Sequence, residues 1–180
     1  MGCWGITAFE SDAGLDAVDF IRNNLPKDGA LTLRDILAAV QQDDWNAPAT
    51  ISDGESHSSP MALAEIMLKF LDGEVGELDS DREYATNESR FSDLTTFAAD
   101  KESVEWLRNY LSGSLDYAMA DGNAREHYGG WFEEKNWIGW QAHMRMLISR
   151  LDILLASPGE QVELIQPQTQ TGGPVMGQSL

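Results

Sequence analysis

Apolar residues recur at helical spacing along most of this chain. Leu15, Val18, Ile21 and Leu25 fall three or four apart, after a Ser11-Asp12 start suited to a helix N-cap. Pro26 and Asp28-Gly29 close that segment. Thr32 opens a second helix carrying Leu33, Ile36, Leu37 and Val40 on one stripe. Ser59-Pro60 opens a third, lined by Met61, Ala64, Met67, Leu68 and Leu71 and stopped by Gly73. Ser92 is placed to cap a short helix through Leu94 and Phe97. Asp100 then caps a long one that reaches Ala120.

The long segment bears two apolar stripes. Val104, Leu107, Leu111, Leu115 and Ala118 make an aliphatic one, while Trp106, Tyr110, Gly113 and Tyr117 make an aromatic one. A helix apolar on two sides is expected to be sandwiched, hence central. A last helix spans about Glu134 to Ala156, with Trp137, Trp140, Met144, Leu147, Leu151 and Leu154 in phase. No stretch alternates apolar and polar residues for long, and only Trp4–Ala8 and Val162–Ile165 suggest short strands. The expected fold is mainly α: an irregular bundle of five to seven helices in a single domain over 1–157. A Gln-, Gly- and Pro-rich tail, poor in charge, covers 158–180.

Charge narrows the function. Among 180 residues, 30 acids face 12 bases, a net charge of −18, and residues 1–100 carry −14 of it. Such a surface repels nucleic-acid phosphates and anionic lipid headgroups, so no nucleic-acid partner is expected. No apolar run is long enough to span a bilayer, and the N-terminus lacks the basic-then-apolar pattern of a secretory signal. With one cysteine and hence no internal disulfide, a cytoplasmic setting is expected.

The opening "MGCWGITAFESD" admits three readings. Lipidation of Gly2 or Cys3 is disfavoured because Ile6 stands where the myristoylation pattern wants Ser or Thr. A nucleophilic Cys3 would need a neighbouring base, and His57, His127 and His143 are all distant in sequence. The third reading is a hydrophobic plug built on Trp4 and Phe9, followed by the capped helix.

Met1-Gly2-x-Trp4-Gly5-x-x-x-Phe9-Glu10-x-Asp12 also resembles the start of a family of small bacterial proteins classed as a domain of unknown function. Ser11 replaces the asparagine usual there, and Cys3 a small residue. "SPMALAEIMLKFLDG" is similar in placement to that family's second, alanine-rich helix. The resemblance covers about the first 75 residues. It implies a bacterial cytosolic protein and carries no catalytic residues.

Recognised chemistry is sparse. His127 and His143 lack the i, i+3 or i+4 ligand spacing of a helical metal site. "DGEVGELDSDRE" is calcium-loop-like only in composition, with Glu77 where the loop needs glycine. No metal, cofactor or catalytic residue is assigned. The expected activity is therefore non-enzymatic: an immunity- or inhibitor-like module that masks a basic protein partner. Glu74, Glu77, Asp79, Asp81 and Glu83 are the first candidate surface, and Asp43 with Asp44 the second. Trp131 and Phe132, beside Gly129-Gly130, are candidate aromatic anchors. Asp12, Asp16 and Asp19 share one helix face, either simply solvated or facing a partner. Two alternatives stand beside this reading. A carboxylate-based or metal-dependent hydrolase would need buried acids converging on a pocket, with Glu65 in its apolar helix the residue to follow. An acidic nucleic-acid mimic would need carboxylates spaced like phosphates.

Overall fold

The computed structural model describes residues 5–48, 50–51, 58–79, 89–120 and 134–165. The chain is mainly helical, with five α-helices and one small sheet among those residues: α1 (Asp12–Asn23), β1 (Ala30–Thr32), α2 (Leu33–Gln42), α3 (Ser58–Leu71), β2 (Thr96–Asp100), α4 (Lys101–Ala120), α5 (Glu134–Ala156) and β3 (Gln161–Glu163).

The apolar stripes become one core. Leu33, Ile36, Leu37 and Val40 of α2 are all buried, as are Val104, Leu107, Leu111, Leu115 and Ala118 of α4. At about 1.5–3 kcal/mol for each large aliphatic side chain, these faces dominate the stability of the helices that carry them. α4 touches α2, α3, α5 and β2, the central position that its two stripes require. Its second stripe is half-buried, with Trp106 and Tyr110 stacked at 5.2 Å between centroids. On α5, Trp140 is fully buried and stacks on Trp137 at 5.6 Å. α3 is buried along nearly its whole length and ends where Gly73 takes φ 72°, a left-handed turn that glycine adopts without a Cβ penalty.

The sheet corrects the sequence reading in three places. The segment after Ser92 does not form a helix through Phe97. Phe91–Asp93 make one 3-10 turn, and Thr96–Asp100 run as the central strand, parallel to β1 and antiparallel to β3. Phe97 and Ala99 point inward, opposite Leu31 and Val162. Near the N-terminus, no strand reaches Ala8, because Ala8–Glu10 close a 3-10 turn instead. The last strand covers Gln161–Glu163 rather than Val162–Ile165, and it lies beyond residue 157, with Leu164 buried after it. Asp100 does cap α4, accepting from both the Ser103 amide (3.0 Å) and hydroxyl (2.8 Å).

Candidate functional site

Two places concentrate charge: a surface around Trp45 and a pocket beside the N-terminal turn. Of the first predicted acidic surface, Glu74 and Glu77 lie at 3.5 and 2.6 Å from Lys69 Nζ. Those acids, Glu77 first, hold the Lys69 ammonium above its ordinary 10.5. Asp79 accepts the backbone N–H groups of Phe91 (2.9 Å) and Ser92 (3.0 Å), stitching two loop ends together. Nearby, buried Arg22 donates to Asp19 at 2.6 Å and to the Leu78 carbonyl at 2.8 Å. Asp79 thus serves the fold, while Glu74 and Glu77 stay exposed and paired with Lys69. Asp81, Glu83, Trp131, Phe132, Cys3, Trp4, His57 and His127 lie outside the described residues.

The second predicted acidic pair has an unforeseen centre. Asp43 Oδ2 accepts the amides of Trp45 (3.0 Å) and Asn46 (2.7 Å), a tight turn that thrusts Trp45 outward. Trp45 is 79% exposed. Its indole Nε1–H donates to Asp16 Oδ2 at 3.3 Å, bridging the α2–α3 loop to α1. Asp12, Asp16 and Asp19 of α1 and Asp44 of the loop are all exposed. The acid pattern was readable in the sequence, whereas Trp45 looked like one more residue of a polar loop.

The pocket is built from the opening turn. Ser11 caps α1 by accepting from Gly14 N–H at 3.0 Å while its hydroxyl donates to the Ala8 carbonyl at 2.9 Å. One residue earlier, Glu10 Oε1 accepts the amides of Ile6 (2.8 Å) and Thr7 (3.1 Å) and the Thr7 hydroxyl (3.2 Å). The Thr7 amide foremost, then Ile6 and the Thr7 hydroxyl, hold the Glu10 carboxyl below its ordinary 4.5, against the opposing pull of partial burial. Nearby His143 contributes in the same direction. Because the folded value is the lower one, this stabilisation is complete above 4.5 and is lost as pH falls through the folded value. The protection of the Ile6 and Thr7 amides, measured against the intrinsic exchange rate at each pH, should therefore fall on acidification below that point, and Glu10→Gln should remove much of the acid dependence.

Glu65 lies beneath this turn, only 5% exposed within apolar α3. Its Oε2 accepts the Ala8 amide at 2.8 Å and meets His143 Nε2 of α5 at 2.7 Å. One carboxylate thus joins the N-terminal turn, α3 and α5. Of the buried-acid convergence that a hydrolase would need, Glu65 with His143 is the part present. No group of three or more His, Cys, Asp or Glu side chains placed to hold a metal occurs among the described residues. The pairing escaped sequence reasoning because its members are 78 positions apart. A signal did exist: His143 is three residues after Trp140 and four before Leu147, on the border of the core stripe.

Beside the pair opens a cavity of about 310 Å³, walled by Phe9, Leu68, Met146 and Leu147 and rimmed by Lys69 and Glu74. Phe9 is half-buried against the core, part of the plug expected at the N-terminus. No described helix is long and apolar enough to cross a membrane. Comparisons with protein-family models, curated proteins and solved structures give no match.

Proposed function

We propose that this chain is a non-enzymatic binding module that masks a basic protein partner, as an immunity or inhibitor protein does, through the face centred on Trp45. The observation that carries this reading is a tryptophan 79% exposed and hydrogen-bonded to a carboxylate. Covering an exposed indole removes apolar area from water, and aromatic anchors dominate binding energy at protein interfaces. The surrounding carboxylates supply what a basic partner needs. Its arginines and lysines can meet Asp16 and Asp44 while one guanidinium stacks on the indole. The net charge of −18 adds long-range steering toward such a partner and away from acidic competitors.

The test captures partners from the source cells with wild-type chain and with a Trp45→Ala/Asp16→Lys/Asp44→Lys variant. A basic protein should be retained by the wild type and lost by the variant. On the purified pair, the two Asp→Lys changes should lower the association rate about tenfold or more at low salt and flatten its salt dependence. Trp45→Ala should act on dissociation, costing about 2 kcal/mol. Equal capture by wild type and variant would reject this face.

A further inference from the structure

We draw no further inference here: the strongest candidate, the apolar patch that Ile138, Met146 and Ile153 expose along the outer side of α5, carries nothing because nothing in the structure shows what covers it.

Discussion

Glu65→Leu should destabilise the protein by about 3 kcal/mol, measured as a lower urea midpoint at unchanged slope. Leucine matches the apolar neighbours of α3, so by hydrophobicity alone the change would look favourable. The tie around Glu65 reverses that expectation. Removing the carboxylate leaves the Ala8 amide and the His143 ring without the acceptor that both now reach in a site 5% exposed. Each buried donor left unpaired costs roughly 1–3 kcal/mol. Glu65→Gln keeps an oxygen for the Ala8 amide, and the imidazole can present its other tautomer to the new amide. Its cost should be about 1 kcal/mol. The order Leu worse than Gln is the discriminating result. A neutral Glu65→Leu would mean that the N-terminal turn is not held through this carboxylate.

Gly14→Ala should also destabilise, by roughly 1–3 kcal/mol, although the residue lies in a helix. In an ordinary exposed helix position the same change would gain up to about 1 kcal/mol from helix propensity. Here an added Cβ would come within 1.8 Å of the Ala8 carbonyl oxygen and 2.8 Å of the Ser11 hydroxyl. The first of these is backbone, so it cannot swing aside as a flexible side-chain tip would. The N-terminal turn must then lift from α1, which also weakens the Ala8 bond to Glu65. Thermal unfolding of Gly14→Ala beside Gly73→Ala makes the contrast useful. Gly73 has open space around its Cβ position but a φ of 72°, so its penalty is conformational. Rapid amide exchange over residues 6–10 is expected in Gly14→Ala alone.

The helices were legible because each carries enough turns for its apolar period to repeat. The aliphatic stripes of α2 and α4 are wholly buried, and α3 and α5 bury the residues whose spacing marks them except the half-buried Leu71 and Trp137. The strands were not, because β1 and β3 are three residues long and β2 reads TFAAD, too short for alternation to stand out. What makes Thr96–Asp100 a strand is pairing with residues 30–32 on one side and 161–163 on the other. That information is non-local by nature. The candidate sites divide in the same way. Asp43 and Asp44 were visible as charge, yet the outward throw of Trp45 follows from a turn geometry that composition does not reveal. Glu65 was conspicuous as an acid in an apolar run, but its partner sits on a helix far along the chain. A pattern search for nearby ligands could not join them.

The bond from Ala8 to Glu65 spans 57 positions, and His143 comes 78 positions later still. On the ribosome, at about 5–20 residues per second, the opening turn would wait roughly 7–27 s before the last member of its clasp has been made. Until then Ala8 and Phe9 have no finished socket, so their docking belongs to the closing steps of assembly. A nascent chain stalled before α5 should accordingly leave its first residues open to a protease that cannot cut the completed protein.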